Sequence, residues 1–530
     1  MSKYAETRAA LSRWQVVKSL NYFEQDAFLQ RLLLHHLGPA GFEAERAGLS
    51  DFGGVCATTL DELIRENNRD EHLPVLRRYD AIGRRTEEVI FHPSYLESGR
   101  LIYKTGVIAR YADPGFDRAQ LAYVYLLGHH GEGGHLCPLA CTTGLVKLLL
   151  ARGDESLKAR FVPGLLHLDR QDPEHLHGAQ FLTEIQGGSD VGANACLARR
   201  DGEHWRIDGE KWFCSVIDAD LYLMTARFEG GPRGTAGLGA FIVPRLLDDG
   251  TPNGCFIRRL KTKLGTRSMA SGELDLQGAL AYAIGDVEGG FKAVVDVVLN
   301  TSRLYNAVAA CGIMRRAEIE ATTYAHHRQA FGQNIAEFPL VAASLARLKE
   351  ERELSLAGTY ALIALADAAA LNVATQDDRD VSRLVVNMNK YFTSIRATAM
   401  VHEAIEVLGG NGAIEDFSVL PRLWRDCIVL ESWEGTHNVL CAQVLKDLQK
   451  LSLHRAFFRR CRSLASSTVL LDEVRLAESA TTELIEFPGE RAALEIRPLV
   501  DRLMRLWQRV CLESLGPFPG GAIEASLPTP

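Results

Sequence analysis

The 530-residue chain lacks the features that mark several specialised classes of protein. Its 11 cysteines form no Cys-x-x-Cys pair and no disulfide-like framework, which is typical of a reducing compartment. No window approaches ~20 uninterrupted apolar residues, and the start MSKYAETRAALSRW has no apolar signal core. The end, EASLPTP, is no retention or peroxisomal address. We therefore expect a cytoplasmic protein with no membrane segment.

The chain also has no excess of basic residues over acidic ones. The net charge is −8, and residues 451–530 contain ten arginines, no lysine and ten acidic residues. A protein that mainly holds a phosphate backbone is usually basic overall or has a basic module. Fixed-period repeats and low-complexity tracts are absent as well. The length is too great for one compact core, so the sequence favours several packed globular units.

The hydrophobic patterns predict helices, then a sheet, then helices again. The segment QDAFLQRLLLHHLG has helical apolar spacing that stops at Gly38. In VSRLVVNMNKYFTSIRATA, the positions from Leu384 to Ala399 form one apolar stripe, and Gly409 follows the helix. We predict an N-terminal helical domain (1–178), a β-domain (179–286), a helical bundle (287–450) and a helical C-terminal extension (451–530).

Short alternating segments between about 180 and 285 support the β-domain. Asp208-Gly209 lies between two aromatic runs in HWRIDGEKWF, which predicts a hairpin turn. LYLMTARF, GAFIVPR and GELDLQG are further strand candidates, separated by glycine-rich loops. Upstream, RRYDAIGRRTEEVIFHP (77–93) is polar, and we expect a surface turn from Asp80 to Gly83.

Two motifs at the β-domain carry candidate binding groups. FLTEIQGGSDVGAN (181–194) combines glycines with Thr183 and Ser189, which suits either an anion site or a plain glycine-rich turn. In DGEKWFCS (208–215), Trp212 and Phe213 can stack on a planar ring and Ser215 can donate to it. The alternative for this second motif is an ordinary strand with core aromatics.

Two further motifs lie in the predicted bundle. HHRQAFGQNIAEFP (326–339) places Arg328 where it can bind a pyrophosphate or simply stabilise a helix C-terminus. In ESWEGTHNVL (431–440), Glu434 lies beside Trp433 and Gly435, and Thr436 is a candidate N-cap for the next helix. A desolvated Glu434 would suit a general base, and a helix-start carboxylate is the alternative.

Together the four motifs resemble the acyl-CoA dehydrogenase family, and within it the AidB-like branch of alkylation-response flavoproteins. The resemblance also includes KLGTRSMAS and RLWRDCIVLESWEGTHNVLC, and it spans roughly residues 77–450. It implies an α+β fold with an N-terminal helical domain, a middle β-domain and a C-terminal four-helix bundle, followed here by the helical extension.

The resemblance also assigns roles. Glu434 matches the base that removes the α-proton, while some members carry their base at the position of Ser302, where a serine cannot serve. The positions that match FAD contacts are Leu182, Thr183, Ser189, Phe213, Ser215, Arg328, Phe331, Gly409, Gly410, Gly412, Thr436 and Asn438. Among these, Arg328, Phe331 and the Gly409–Gly412 loop match groups that reach the FAD of a neighbouring subunit.

The implied reaction is FAD-dependent α,β-dehydrogenation of an acyl-CoA, with the proton passing to Glu434 and the β-hydride to flavin N5. A flavin hydroxyl and the N–H of Glu434 would hold the thioester carbonyl. The resemblance further implies an electron-transfer flavoprotein as acceptor and a homotetramer.

Three alternatives stay open at this stage. One is a DNA-associated protective flavoprotein with weak dehydrogenase activity, for which RAFFRRCR (455–462) is the local basic cluster. Another is a flavin oxidase on the same fold. A third is a metal site formed by His129, His130, His135, Cys137 and Cys141, although this spacing fits no zinc pattern well. We therefore expect no metal site, and DNA binding is not favoured.

Overall fold

The computed structural model describes residues 2–516. Its 16 α-helices are α1 (Lys3–Val17), α2 (Ala27–Val55), α3 (Asp61–Asn67), α4 (Pro93–Tyr103), α5 (Asp117–Gly128), α6 (Leu136–Arg152), α7 (Glu155–Leu165), α8 (Gly290–Ala293), α9 (Asn300–His327), α10 (Pro339–Ala370), α11 (Gln376–Leu408), α12 (Leu420–Ser432), α13 (His437–Leu451), α14 (His454–Leu464), α15 (Thr468–Glu486) and α16 (Gly489–Ser514). π-Helical turns at Cys56–Leu60 and Val294–Leu299 lead into α3 and α9.

Strands are concentrated in the middle of the chain. They are β1 (Val75–Tyr79), β2 (Arg85–Ile90), β3 (Gly178–Phe181), β4 (Leu197–Asp201), β5 (His204–Ser215), β6 (Leu221–Phe228), β7 (Leu238–Pro244), β8 (Cys255–Leu260), β9 (Ser271–Ala283), β10 (Gln329–Ala330) and β11 (Gln333–Asn334). This order of helices, sheet and helices confirms the predicted fold class.

Two compact units make up the described chain. The helical unit contains residues 2–61, 114–131 and 303–516, and the mixed unit contains residues 62–113 and 132–302. In the helical unit, α11 packs against α10, α12, α13 and α16. Trp507 anchors α16 to α10, because its indole Nε1 donates to the Gly358 carbonyl at 2.9 Å. Within the predicted C-terminal extension, α16 therefore packs against the core of this unit.

The mixed unit is built on a seven-stranded sheet whose pairings close on themselves. The closed path runs β6–β7–β9–β5–β4 and returns to β6, while β3 extends β6 and β8 extends β9. Strand β7 is buried along its whole length, as expected for a strand covered on both faces.

The predicted hairpin at Asp208-Gly209 was wrong. Both residues lie inside the continuous strand β5, and the chain reverses earlier, between β4 and β5 at Gly202. Gly209 has a φ of 139° at an irregularity in the β5–β9 pairing, and a Cβ there would lie 2.6 Å from the Cys196 sulfur. The glycine therefore permits a bulge and a close contact, not a turn.

Other sequence predictions are confirmed. Gly38 interrupts α2 with a φ of 71°, and Gly409 follows the last residue of α11. The turn expected near Asp80 joins β1 to β2, with the Asp80 N–H donating to the Arg84 carbonyl. The extension is helical through α14, α15 and α16, and residues 517–530 lie outside the described part.

Helix α10 is the one described helix long and apolar enough to pass a membrane-span test by length and composition. Of its most apolar window, 61% is buried inside the fold. The core helix of a globular unit passes the same test, so this observation is weak evidence for a membrane segment.

Candidate active site

Glu434 lies in the short turn that joins α12 to α13. Its φ is 57°, a left-handed backbone conformation that is uncommon for a residue with a side chain. Gly435 follows with a φ of 107°, and a Cβ there would lie 2.9 Å from the Leu440 side chain. Strained residues persist where the surroundings hold them, and they are concentrated at functional sites. The strained backbone of this turn is therefore of the kind found at functional sites.

Two cations hold the backbone of this turn. The Arg303 Nε donates to the Glu434 carbonyl at 3.2 Å. The Lys390 Nζ donates to the Glu431 carbonyl at 3.0 Å and to the Gly435 carbonyl at 2.9 Å. Lys390 is fully buried in the middle of α11. Helices α9 and α11 thus fix both ends of the segment that carries Glu434.

Burial governs the protonation of these cations. Burial lowers the pKa of Lys390 to about 7, although the charges of Glu434 and Glu431 act in the opposite direction. Arg303 adds to the lowering by repulsion. Burial also lowers the pKa of Arg303, against the charge of Glu434. The carboxylate of Glu434 therefore lies within electrostatic reach of two desolvated cations.

Glu431 has a different role from Glu434. Its carboxylate accepts hydrogen bonds from Thr398 and from the His437 Nε2, the latter at 2.9 Å. Burial would raise the pKa of Glu431, but the hydrogen bonds from His437 and Thr398 outweigh it and lower the pKa. These contacts join α12 to α11 and to the first residue of α13.

The remaining predicted residues of the helical unit lie at loops and helix ends. Thr436 is the N-cap residue of α13, as predicted, but its side chain makes no capping hydrogen bond. Asn438 is exposed in the first turn of the same helix. Gly409 and Gly410 are exposed after α11, whereas a Cβ at the buried Gly412 would lie 2.5 Å from the Ile405 carbonyl.

Arg328 and Phe331 belong to the connection from α9 to α10. Arg328 directly follows α9, and Phe331 lies in the tight turn between β10 and β11 with a φ of 52°. Both side chains are exposed, and Phe331 is 97% exposed. An aromatic ring that projects this far is available to a binding partner.

In the mixed unit, the loop after β3 brings two predicted motifs together. The Trp212 N–H on β5 donates to the Thr183 carbonyl at 3.0 Å. Asn194 donates to the Leu182 carbonyl at 2.7 Å. A Cβ at Gly188 would lie 2.5 Å from the Thr183 hydroxyl, so only glycine allows this loop to fold over Thr183. Leu182 and Thr183 are therefore fixed beside β5, while Ser189 is exposed in the same loop.

The end of β5 presents an aromatic ring beside a hydroxyl. Phe213 is 58% exposed, and Ser215 Oγ lies 3.2 Å from Ser271 Oγ. The next residue, Val216, is buried with a φ of 59°, which is unusual for a β-branched side chain. Its N–H donates to the Ala270 carbonyl at 2.8 Å, which holds the strained residue in place.

These groups fit FAD chemically. The mixed unit offers an exposed aromatic face, hydroxyl donors and a glycine-rich loop in which Gly187 has a φ of 119°. Loops of this kind suit the close approach of backbone N–H groups to an anion. The helical unit offers a guanidinium, glycines with open space above Gly409 and Gly410, and the Glu434 turn. Planar rings and pyrophosphates are bound by groups of these kinds.

Sequence reasoning missed Lys390 as a site residue. It lies within the apolar helix pattern of VSRLVVNMNKYFTSIRATA, whose stripe contains Leu384, Met388 and Phe392. The signal in the sequence was a lysine among apolar residues of a predicted helix, since a lysine is seldom fully buried unless it is paired. The carbonyl groups it binds lie some forty residues further along the chain, which no local pattern reveals.

The residues considered for a metal site can be compared with the clusters of ligating atoms in the structure. Among residues 2–516, the groups with three metal-ligating atoms within 4.8 Å are Glu66, His72 and His92, and His167, Asp172 and Glu174. The five residues considered from the sequence belong to neither group.

Two of these histidines have hydrogen-bond partners in the structure. His129 Nδ1 lies 3.1 Å from the Tyr125 carbonyl, and His135 Nε2 lies 3.0 Å from Ser98 Oγ.

Ser302, at the position where some family members carry their base, accepts a hydrogen bond from Gln180 at 3.0 Å, so this buried serine has a structural contact.

Comparisons with known proteins agree with the motifs. Residues 288–449 match the model of the acyl-CoA dehydrogenase C-terminal domain, and residues 179–279 match that of the middle domain. Residues 14–172 match the N-terminal domain of the adaptive response protein AidB.

Named relatives cover most of the chain. Acyl-CoA dehydrogenase family member 11 of Caenorhabditis elegans is 32% identical over 465 residues, 86% of this chain and 75% of that protein. AidB of Escherichia coli is 35% identical over 396 residues, 71% of this chain and 69% of AidB. The structure of C. elegans ACDH-11 in complex with C11-CoA superposes with a TM-score of 0.85 at 30% identity, covering 93% of this chain and 87% of that one.

Proposed function

Because the chain belongs to the acyl-CoA dehydrogenase family, whose members are FAD-dependent oxidoreductases, we propose that it removes hydrogen from the α and β carbons of an acyl-CoA. Glu434 is the proposed base. The observation that carries this proposal is the strained turn at Glu434, held by two desolvated cations.

Each group of the chain has a task in this reaction. Glu434 accepts the α-proton at its carboxylate. The Glu434 N–H would hold the thioester carbonyl and stabilise negative charge on its oxygen, with a cofactor hydroxyl as a second donor. When bound, FAD would supply the electron chemistry, as the acceptor for the β-hydrogen and its electron pair. The protein contributes positioning and electrostatics.

FAD binding is assigned to the loops described above. Thr183, Ser189 and Ser215 are the proposed hydroxyl donors, with Phe213 beside the ring system. In the helical unit, Thr436 and Asn438 lie next to Glu434 in sequence and are exposed for contact. Arg328 is the proposed cation for the pyrophosphate.

An acyl-CoA is the proposed substrate class, since the ACDH-11 neighbour was crystallised with C11-CoA. An electron-transfer flavoprotein is the proposed acceptor of the electrons. We also propose a cytoplasmic homotetramer, in which Arg328 and Phe331 reach the FAD of a neighbouring subunit.

Substitution of the base provides the first test. We expect Glu434→Gln to keep FAD bound but to slow anaerobic bleaching of the visible flavin band by acyl-CoA by roughly 10²–10⁴-fold, the usual range for a lost general base. A panel of straight and branched acyl-CoAs, followed by stopped-flow absorbance, would measure the rate and identify the preferred chain.

Glu486→Gln is the matched control, because this exposed glutamate ends α15 and has no place in the proposed site. Undiminished bleaching in Glu434→Gln would exclude Glu434 as the base. Rapid reoxidation of the reduced wild type by air, with stoichiometric hydrogen peroxide, would favour the oxidase alternative.

DNA binding gains no support from the basic cluster at residues 455–462. Three of its four arginines form ion pairs within the helical unit: Arg459 with Asp377 at 2.7 Å, Arg460 with Asp378 at 3.8 Å and Arg462 with Glu478 at 2.6 Å. Phosphate binding requires neutralising cations that are available to the backbone. Steeply salt-dependent DNA binding in a filter assay would reverse this conclusion.

A further inference from the structure

A fully buried lysine in the middle of α11 has no task in the reaction described above. Lys390 places its ammonium between the last turn of α12 and the turn that carries Glu434, with hydrogen bonds of 3.0 Å and 2.9 Å to the Glu431 and Gly435 carbonyls. These two carbonyls bracket Glu434 in sequence. Arg303 holds the carbonyl of Glu434 itself at 3.2 Å.

We propose that Lys390 is a positioning residue that holds the turn of residues 433–436 in the conformation in which Glu434 acts. The inference rests on the proposed function, because it assigns to Lys390 the placement of the proposed base. Lys390 itself is not proposed to touch the substrate or the cofactor.

The backbone of the turn explains why a donor is needed here. Glu434 and Gly435 have φ values of 57° and 107°, so this segment cannot continue the hydrogen bonding of α12. A carbonyl that is removed from water without a hydrogen-bond partner is unfavourable. An ammonium has three N–H donors and serves two carbonyls at once. Lys390 thus ties the conformation of the turn to the rigid body of α11.

The positive charge of Lys390 distinguishes it from a neutral residue that only donates hydrogen bonds to the turn. Burying a cation is unfavourable, and a neutral amide could donate the same two hydrogen bonds at lower cost. The charged groups that face Lys390 are Glu434, Glu431 and Arg303. Glu431 also accepts hydrogen bonds from His437 and Thr398. The ammonium acts electrostatically on both carboxylates, and so its charge also acts on the proposed base Glu434.

This arrangement has a testable pH dependence. Burial lowers the pKa of Lys390 to about 7, so the ammonium loses its proton near neutrality. A neutral amine still donates to both carbonyls, so the turn keeps its shape as the pH rises. The loss of positive charge, however, makes the Glu434 carboxylate a stronger base. We expect the rate of flavin reduction to rise through pH 7.

Two variants and a control test the proposal on the full-length, FAD-loaded protein. Lys390→Met removes charge and donors at similar volume, Lys390→Arg keeps a permanent charge, and Lys446→Met changes an exposed lysine of α13. Hydrogen exchange of the peptide covering residues 431–438 reports the turn directly, without substrate. Stopped-flow flavin reduction between pH 6 and 9 reports the chemistry.

We expect Lys390→Met to speed exchange of that peptide at least tenfold, to slow flavin reduction by roughly 10–100-fold and to remove the rise through pH 7. Lys390→Arg should restore part of the protection, again without the rise, and Lys446→Met should match the wild type. If the Met variant does not fold, Lys390→Gln, which keeps N–H donors but no charge, is used instead, and it should show near wild-type exchange of residues 431–438 without the rise through pH 7.

Wild-type exchange in Lys390→Met, or an unchanged pH profile in that variant, would overturn the inference. A wild type that no acyl-CoA reduces would instead refute the proposed function. Exchange of residues 431–438 would still decide in that case whether Lys390 holds the turn, so the two failures are distinguishable.

Discussion

At the scale of single residues, one buried ion pair fixes the loop assigned to FAD in the mixed unit. The Lys211 Nζ lies 2.9 Å from the Glu184 carboxylate and donates to the Thr225 carbonyl at 2.8 Å. Glu184 also accepts the Ala195 N–H at 2.6 Å. Burial alone would raise the pKa of Glu184, but Lys211 and these hydrogen bonds lower it. The pair therefore ties both ends of the 182–195 loop to β5 and β6.

Removing one partner should be costly. We predict that Lys211→Met lowers the free energy of unfolding by roughly 3–5 kcal/mol, because the Glu184 carboxylate stays buried without its counter-ion. Urea unfolding followed by circular dichroism would measure the loss. The exposed pair of Arg206 and Asp201 in the same sheet is the control, and Arg206→Gln should cost less than about 1 kcal/mol. Equal effects of the two substitutions would contradict this account.

At the scale of elements, α11 is the helix on which the candidate site of the helical unit depends. It carries Lys390 in its middle and ends at the Gly409 loop. Its start is fixed by a capping box, in which the Thr375 hydroxyl accepts the Asp378 N–H at 3.1 Å and the Asp378 carboxylate accepts the Thr375 N–H at 3.0 Å. Such reciprocal bonds satisfy donors that the first turn of a helix leaves open.

Loss of the cap should destabilise the helix start. We expect Thr375→Ala to lower the free energy of unfolding by about 1 kcal/mol, within the usual range of 0.5–2 kcal/mol for N-caps. Thr482→Ala on the exposed face of α15 is the control, and it should change stability by less than about 0.5 kcal/mol. A shift in the urea midpoint of both variants by the same amount would count against the capping argument.

At the scale of the whole molecule, the proposed tetramer explains an otherwise unusual side chain. Phe331 is 97% exposed at the tip of the β10–β11 hairpin. In an isolated subunit this large apolar ring stays almost entirely in water, so its burial contributes almost no stability. Leu340 nearby in sequence is 85% exposed. Contact with a neighbouring subunit would remove both side chains from water.

Light scattering after gel filtration would test this arrangement. We predict a mass near four times the 58.5 kDa of the chain, and we expect Phe331→Ser to release FAD at least tenfold more readily. Leu494→Ser is the control, since Leu494 is 77% exposed on α16 outside the proposed FAD contacts. A monomeric mass, together with a Phe331→Ser variant that holds FAD as firmly as the wild type, would refute the shared site.

Sequence information was sufficient wherever a signal is local. The period of apolar residues predicted α11 and its end at Gly409, and alternating residues predicted β6, β7 and β9. Motifs of fixed spacing indicated the family, because a motif such as Trp433–Thr436 can be read from neighbouring residues alone. The hairpin at Asp208-Gly209 failed because a glycine with positive φ suits a bulge as well as a turn, and only the neighbouring strand decides.

The sequence by itself therefore determined the family, the fold class and the candidate base Glu434. The tertiary structure decided which distant groups act on that base: Lys390 lies more than forty positions from Glu434 and Arg303 more than a hundred, yet both donate to its turn. Hydrogen bonds and desolvation depend on distance in space rather than along the chain. Packing of α9, α11 and α12 was needed to bring these charges together and to lower the pKa of the buried lysine.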